Sequence, residues 1–469
     1  MENTKIKTLL SNTVVFGIGN VASKLILFFL MPLYTAILTT SDYGLGEILN
    51  SSVELLFPIV TLSIVEAVFR FSIDEDDLKR QEIFSIAIKI ILLGFVILTS
   101  VFAYIDRFIN YEYTWYLIFM IVAYSLKMLF ANFARGIGKV KIFALNGVIA
   151  SFTLVVYNLI FIAWFRWGVR GYLLSIILSN FSAAIFVFIF SQEYKYINFN
   201  AINKDLFKSM LIYSLPTIPN LLSWWVTNTS SRYIILFFCG AGLAGKFAAA
   251  SKLPSMINLM SNVFQQAWQY SSSIEYGKSG SNNFYNDVFK YYSSFILTAC
   301  SGLIMITPII SMFLLKGDFY DAWHYVPLLL LSATFGCYSV YFGSFYLAAK
   351  KNKMLMISTI AGAVVNIFIC LLMIPKIGVY GALWASVLSY LVIIIIRIRD
   401  TKKYADIDIQ IKSLILSIII LFLQSLVLTK ENIYNNFISI LCFVIIFIIH
   451  FNKSFKEILI YIKQILNIR

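Results

Sequence analysis

Four basic residues lie within or at the edges of long apolar stretches of the sequence: Lys24, Arg232, Lys246 and Lys252. A cation in hydrocarbon is costly, so such a side chain needs water, an acid or an anionic ligand. Lys24 and Lys252 are the deepest of the four, and both can make charge-assisted hydrogen bonds to phosphate. Two interpretations stay open. The cations form a functional anion-binding cavity, or they make structural pairs with acids, for which Glu54 is the candidate.

Polar side chains recur at helical spacing along three of the apolar stretches. These stripes are Glu47, Ser51, Glu54, Pro58 and Thr61; Asn220, Ser223, Thr227 and Ser230; and Ser251, Ser255, Asn258, Asn262, Gln265 and Gln269. Hydrogen bonding between helices explains one or two polar side chains on a span. The third stripe has six, which favours a water-filled cavity. The residues expected to line this cavity are Asn220, Ser223, Thr227, Ser255, Asn258, Asn262 and Gln265. Glu47 or Glu54 is expected to carry a proton or a sodium ion.

Other kinds of chemistry lack the necessary residues. The stretch from Gly240 to Lys246 matches most of a phosphate-binding loop, but Phe247 replaces the required Ser or Thr, and the segment is a turn between apolar runs. Only His324 and His450 are present, which argues against a metal centre or a nucleophilic triad. We therefore expect no enzyme activity, no metal, no cofactor and no bound nucleotide.

The elements that carry these residues are predicted to be membrane-spanning helices. The 469 residues are 60% hydrophobic and only 13% charged, whereas soluble domains carry about 25% charged residues. Apolar runs near the ~20 residues needed to cross a bilayer recur from end to end. About fourteen spans are predicted: 9–37, 45–69, 83–105, 115–134, 142–165, 172–190, 211–238, 243–268, 291–315, 326–349, 354–374, 380–396, 411–428 and 437–450.

Basic residues give the predicted orientation. The net charge of +14 is spread over the short joints between spans, which argues against one nucleic-acid-binding surface. Lys and Arg concentrate in alternate joints, and such joints face the cytoplasm. The opposite joints hold only Arg107, Arg166, Arg170, Lys316, Lys376 and Lys430. Both termini of this multi-pass membrane protein are therefore expected in the cytoplasm, with residues 453–469 forming an amphipathic helix on the membrane surface.

An internal repeat is predicted at an offset of 210 residues. Gly168-Val169-Arg170-Gly171 opens the sixth span, and Gly378-Val379-Tyr380-Gly381 opens the twelfth. Because each copy contains an even number of spans, the two copies enter the membrane from the same side. The predicted organisation is an N-terminal lobe over 1–200 (spans one to six) and a C-terminal lobe over 201–405 (spans seven to twelve), with a cleft between them. Spans thirteen and fourteen and the tail occupy 406–469.

Three loose motifs together resemble a known family. They are Lys24 through Pro32-Leu33-Tyr34 to Asp42-Tyr43-Gly44; Asn220 through Arg232-Tyr233 to Gly245, Ala250 and Lys252; and Asn366 through Ile374-Pro375 to Gly378 and Gly381-Ala382. These stretches resemble the polysaccharide-biosynthesis flippases, the family that serves O-antigen and capsule assembly within the multidrug/oligosaccharidyl-lipid/polysaccharide (MOP) exporter superfamily. The resemblance extends over essentially the whole chain.

The resemblance implies an all-α fold of two six-helix lobes plus two C-terminal helices, as in multidrug and toxin extrusion (MATE) transporters. It implies alternating access around a central cationic cavity in a bacterial cell membrane, with Lys24, Arg232, Lys246 and Lys252 at approximately matching positions. The implied cargo is an undecaprenyl-diphosphate-linked oligosaccharide, moved from the cytoplasmic to the outer leaflet. Membrane lipids, a proton or sodium ion, and a polysaccharide polymerase are the expected partners.

The two alternative functions are an ion-coupled drug exporter and a membrane polysaccharide polymerase. An ion-coupled drug exporter of the same fold should have an acidic, aromatic cavity, so the lysines argue against it. A membrane polysaccharide polymerase typically needs a large outer loop or an intramembrane histidine, and neither is evident in the sequence.

Overall fold

A computed structural model of the protein describes residues 26, 28–73, 75–198, 203–276, 281–349, 352–405, 407, 411–428 and 433–466, with the backbone alone at a few positions that include 451–466. The α-helices are Met31–Ile37 (α1), Thr40–Val60 (α2), Ile64–Ser72 (α3), Asp77–Ile109 (α4), Thr114–Gly136 (α5), Val140–Asn158 (α6), Gly168–Phe190 (α7), Lys204–Ser214 (α8), Thr217–Cys239 (α9), Ala241–Ala250 (α10), Ser255–Glu275 (α11), Ser281–Leu314 (α12), Val326–Ala348 (α13), Asn352–Ile377 (α14), Val379–Thr401 (α15), Ile411–Leu428 (α16) and Ile433–Leu466 (α17). A π-helical turn, Leu159–Trp164, extends α6, and two short 3-10 helices cover Glu193–Tyr196 and Gly317–Tyr325.

Eight stretches of helix in the described part of the chain are long and apolar enough to cross a membrane. A ninth span results if the bent pair α2 and α3 is counted as one. Two shorter apolar helices, Lys412–Leu428 and Tyr434–His450, follow near the C-terminus. The prediction of an all-α, multi-pass protein is therefore confirmed. The predicted number of fourteen spans is approximate, because span one begins outside the described residues and spans seven and eight are rich in polar side chains.

Contacts within the chain divide it into two units, Met1–Trp225 (unit 1) and Val226–Arg469 (unit 2). The core of unit 1 forms around Ile64, Phe84 and Phe133, and Leu206 and Met210 of α8 pack into it. Helix α8 thus packs with unit 1, although it follows the lobe boundary predicted after residue 200.

The core of unit 2 contains an aromatic stack in which Trp268 lies 4.8 Å from Tyr341, and Tyr341 lies 5.3 Å from Tyr292. The two C-terminal helices pack onto this unit through Gln424 of α16. Its side chain accepts a hydrogen bond from Ser301 on α12 at 2.7 Å and donates one to the hydroxyl of Ser439 on α17 at 3.0 Å. Span fourteen and the tail were predicted as separate helices, whereas α17 runs without a break to Leu466.

Span two is broken near one end. Pro58 lies in the last turn of α2 and cannot donate a backbone hydrogen bond. Leu62 and Ser63 then adopt left-handed conformations, both with φ of 51°, and α3 leaves at 63° to α2. Helix α4 crosses at this break with almost no clearance, because a Cβ atom on Gly94 would lie only 2.0 Å from the carbonyl oxygen of Val60.

Span eight is broken as well, with α10 ending at Ala250 and α11 beginning at Ser255. Pro254 stands immediately before α11, where its missing N–H costs least. Broken spans in matching places of two transporter halves point to the substrate path. Spans two and eight are the second spans of the two predicted lobes.

The first glycine of the repeated Gly-Val-x-Gly motif has a positive φ in both units. Gly168 and Gly378 have φ of 55° and 60°, a conformation that favours glycine. The second glycine of each motif packs against the preceding helix. A Cβ atom on Gly171 would lie 2.9 Å from the Phe161 carbonyl oxygen, and one on Gly381 would lie 2.6 Å from the Ile374 nitrogen. The motif is therefore a tight corner between two spans.

Candidate functional site

A buried carboxylate in unit 1 is surrounded by phenol groups. Glu47 of α2 is only 3% exposed, and its Oε1 accepts hydrogen bonds from Tyr172 at 2.8 Å and from Tyr43 at 3.2 Å. The Tyr34 ring lies 5.2 Å from that of Tyr172, and the Tyr34 hydroxyl accepts a hydrogen bond from Asn158 at 2.8 Å. We call these five residues the tyrosine cage.

The local sequence explains the cage. Tyr43 precedes Glu47 by one helical turn, so both side chains share one face of α2. Tyr172 follows the Gly168–Gly171 corner, and Gly46 provides room for its ring, since a Cβ there would lie 2.6 Å from the Tyr172 ring. Helical spacing in the sequence predicted a role for Glu47 but none for Tyr34 or Tyr172. Both tyrosines are distant from Glu47 along the chain, so the sequence pattern does not indicate the contact.

Most of the polar stripe on span two is buried inside unit 1 and does not face open space. The hydroxyls of Ser51 and Thr61 donate to backbone carbonyls of their own helix, and Pro58 is buried. Glu54 alone of the stripe is exposed. A carboxylate on an apolar helix is costly in lipid, so the Glu54 face of α2 is suited to water.

In unit 2, Lys252 stands in the break of span eight. It is half-buried between α10 and α11, and its carbonyl accepts a hydrogen bond from the Ser255 hydroxyl at 2.5 Å. A helix break leaves backbone groups outside the helical pattern, so this part of span eight is more polar than a continuous apolar helix would be.

The polar stripe of span eight divides between two faces of α11. Asn258, Asn262 and Gln269 are exposed at helical spacing. Gln265 is buried and donates to the hydroxyl of Tyr292 at 3.4 Å. Trp268 is 2% exposed, which leaves its indole ring inside the protein and away from any ligand. The three exposed amides form the surface that a polar cargo could contact.

Helix α9 carries the remaining polar stripe, which runs from exposed to buried along the helix. Asn220 is exposed and Ser223 is half-buried, whereas Thr227 is only 4% exposed. Ser230 is buried as well, and its hydroxyl lies 3.4 Å from the side-chain oxygen of Asn366 on α14. Arg232, five residues after Thr227, is half-buried.

The remaining predicted cations differ in their surroundings. The Lys246 ammonium lies 3.2 Å from the Asp321 carboxylate in the 3-10 helix Gly317–Tyr325. This ion pair gives Lys246 a structural partner and makes it the weaker candidate for binding cargo. Lys24 lies outside the described residues.

Two buried ionisable groups were missed by the sequence reading. Arg397 of α15 is 1% exposed, and its guanidinium donates to the Ser339 carbonyl at 2.5 Å and to the Thr359 hydroxyl at 3.0 Å. These neutral acceptors tie α15 to α13 and α14, which is a structural role. Arg397 ends an apolar run, as do many basic residues in the joints between spans. The sequence pattern therefore did not indicate that this arginine is buried.

The second missed group is Glu193, which follows α7 outside the membrane span. It is completely buried, and neither carboxyl oxygen has a hydrogen-bond partner in the described part of the chain. Burial raises its pKa well above the usual range, while the nearby Lys139 opposes that shift. The group is therefore protonated over a wider pH range than an exposed glutamate.

Comparison with solved structures defines the class of fold. The lipid II flippase MurJ in its inward closed conformation matches with a TM-score of 0.71 and 17% identity, over 95% of this chain and 100% of that one. An outward-facing multidrug resistance MATE transporter of the MOP superfamily matches with a TM-score of 0.59 and 13% identity, over 85% and 95% of the two chains. A Pyrococcus furiosus MOP superfamily transporter, described as having a binding pocket of reverse polarity, has a TM-score of 0.56 at 13% identity, over 84% and 96%.

The protein is thus a multi-pass membrane protein with the MurJ/MATE-like fold. A family model described as polysaccharide biosynthesis protein matches residues 9–269, and the chain belongs to that family. No match was found among curated proteins. The matched structures are themselves described as a flippase and transporters.

Proposed function

We propose that the protein is a flippase that moves an undecaprenyl-diphosphate-linked oligosaccharide from the cytoplasmic to the outer leaflet of a bacterial cell membrane. The proposal includes cytoplasmic termini and a product that enters surface polysaccharide such as O-antigen or capsule through a polymerase. The observation that carries it is the exposed amide face of α11, with Asn258, Asn262 and Gln269, next to Lys252. Membership of the polysaccharide biosynthesis family supports the same cargo class.

The chemistry of the broken spans matches this cargo. A diphosphate needs cations and N–H donors, which Lys252 and the amides of α11 supply, with Arg232 and Lys24 as further candidates. A glycan needs side chains that donate and accept hydrogen bonds, and amides do both. The lipid tail stays in the bilayer.

The tyrosine cage suits a coupling proton. The Glu47 carboxyl group lies within hydrogen-bond distance of two phenols, and a change in its protonation would break or reverse those bonds. Proton binding can drive transport only if the two access states hold the proton with different affinities. A sodium ion on Glu47 is the alternative occupant.

The test is depletion of the protein in the cell that produces it, with replacement by Lys24→Ala and Lys252→Ala variants. We expect lipid-linked oligosaccharide to accumulate and surface polysaccharide to fall. Undiminished export at normal protein levels would reject the role of these lysines. Unchanged polysaccharide on depletion, together with greater sensitivity to toxic cations, would identify the drug exporter instead.

A further inference from the structure

A cavity of about 550 Å³ opens at one end of unit 1, and its lining includes none of the tyrosine cage residues. Its size lies within the ~300–1,000 Å³ typical of small-molecule sites. The start of α2, the start of α5 and the corner before α7 build it. The lining residues with polar or aromatic side chains are Asp42, Tyr113, Tyr116, Arg166, Trp167 and Arg170. We call it the Arg166 cavity.

The cavity presents one cation and one anion that do not neutralise each other. Arg170 also lines the cavity, but its guanidinium is already paired, because Nη2 and Nε lie 2.5 and 2.9 Å from the Glu112 carboxylate. In the described chain, neither Arg166 nor Asp42 belongs to a salt bridge. The backbone of Asp42 is fixed, since its N–H donates to the Thr39 hydroxyl at 3.0 Å. A strong donor and a strong acceptor therefore line the same space.

An indole ring is held beside these charges. Trp167 stacks on Phe161 and Phe165 at centroid distances of 5.3 and 5.1 Å, yet 47% of its surface is exposed. The turn that displays it is unusual, since Arg166 has a φ of 54° without being glycine. Tyr113 adds a phenol that can donate a hydrogen bond, and burial and the Glu112 carboxylate raise its pKa.

We propose that the Arg166 cavity is a saccharide subsite that binds one pyranose ring of the glycan. The apolar face of the sugar stacks on Trp167, one hydroxyl donates to Asp42, and a second sugar oxygen accepts from Arg166. The inference rests on the proposed function, because the glycan is its cargo. The distribution of basic residues predicts that this end of unit 1 faces outward, so the subsite meets the glycan as it leaves.

A lipid phosphate is the other ligand that an interfacial Arg and Trp could attract. Asp42 argues against it, because a carboxylate facing the same cavity repels a second anion. A sugar hydroxyl, in contrast, needs an acceptor as much as a donor. The combination of both charges with an exposed aromatic face therefore favours the sugar.

The test uses saturation-transfer NMR on the purified full-length protein in nanodiscs. The probes are glucose, galactose, mannose, N-acetylglucosamine and glucuronate, with glycerol 1-phosphate as the lipid headgroup probe. The variants are Arg166→Gln and Trp167→Ala. Lys376→Gln is the matched control, because Lys376 precedes the Gly378 corner as Arg166 precedes the Gly168 corner, and it is also exposed.

We expect at least one sugar to bind, with affinity about tenfold lower in Arg166→Gln, as for loss of a charge-assisted hydrogen bond, and unchanged in Lys376→Gln. Binding of no sugar, equal binding by all variants, or binding of glycerol 1-phosphate alone would overturn the subsite. Translocation of lipid-linked oligosaccharide is measured in parallel. Normal translocation without sugar binding removes only the subsite, whereas no translocation by the wild-type protein removes the proposed function.

Discussion

Spans two and eight are broken helices in matching places of the two predicted lobes, yet their chemistry is opposite. Span two holds an acid, Glu47, that is buried and bonded by tyrosines inside unit 1. Span eight holds a base, Lys252, in the break itself, followed by a face of exposed amides in unit 2. The acid is enclosed by protein, and the base adjoins open surface.

This difference suggests a division of roles between the units. A buried carboxylate with phenol donors is suited to a small cation such as a proton, because no larger ligand can reach it. A lysine beside exposed amides is suited to a large anionic cargo. The comparison predicts that changes in span two alter coupling, whereas changes in span eight alter the handling of cargo.

The largest expected effect is that of Lys252→Ala on export. Loss of a charge-assisted contact to diphosphate should lower translocation about tenfold or more. The control is Lys246→Ala, which removes a lysine already paired with Asp321. Because the Asp321 carboxylate is largely exposed, loss of this ion pair should leave translocation within about twofold of wild type. Equal losses in the two variants would remove the distinction between the two lysines.

Glu47→Gln should separate coupling from binding. If the Glu47 proton is coupled to transport, a one-unit pH difference across the membrane changes wild-type translocation by up to about tenfold. We expect the Gln variant to bind cargo normally and to ignore the pH difference. Glu54→Gln tests the other predicted carrier of the coupling ion, which lies on the exposed face of α2 outside the cage. Sensitivity to pH that survives in Glu47→Gln would exclude the cage as the coupling site.

The break in span two should also be sensitive to packing. Gly94→Ala places a methyl group against the Val60 carbonyl, so α2 and α4 must separate, at a cost of about 1–3 kcal/mol in the free energy of unfolding. Gly336→Ala is the control, because its Cβ would meet the Tyr390 ring at an ordinary 3.4 Å. Denaturation in mixed micelles measures both. Similar stabilities for the two variants would mean that the helices are not held together at Gly94.

The smallest effect concerns Glu193, which lies outside both broken spans. Its pKa is raised in the folded state, so wild-type stability falls as pH rises from the ordinary glutamate value of about 4.3 towards the raised one. Glu193→Gln removes this titration. Its melting temperature should therefore exceed that of wild type at pH 8 but not at pH 4. A parallel pH dependence in both proteins would show that Glu193 does not titrate in this way.

The fold class followed from the sequence because apolar runs and basic joints are local features that hydrocarbon imposes. The polar face of α11 was also predictable from helical spacing. What could not be predicted was how each stripe divides between buried and exposed, since that depends on packing partners far along the chain. Glu47 is buried because Tyr172 covers it, and Gln265 because Tyr292 does. The breaks at Leu62 and Pro254 interrupt runs that read as continuous.

The most direct measurement follows lipid-linked oligosaccharide in proteoliposomes, where a glycosidase added outside reports how much glycan has crossed. The account predicts that the wild-type protein exposes inner-leaflet glycan to the enzyme and that Lys252→Ala slows this about tenfold while Lys246→Ala does not. The account would be contradicted if glycan crossed wild-type vesicles no faster than protein-free ones. It would also be contradicted if glycan crossed as fast with Lys252→Ala as with the wild-type protein.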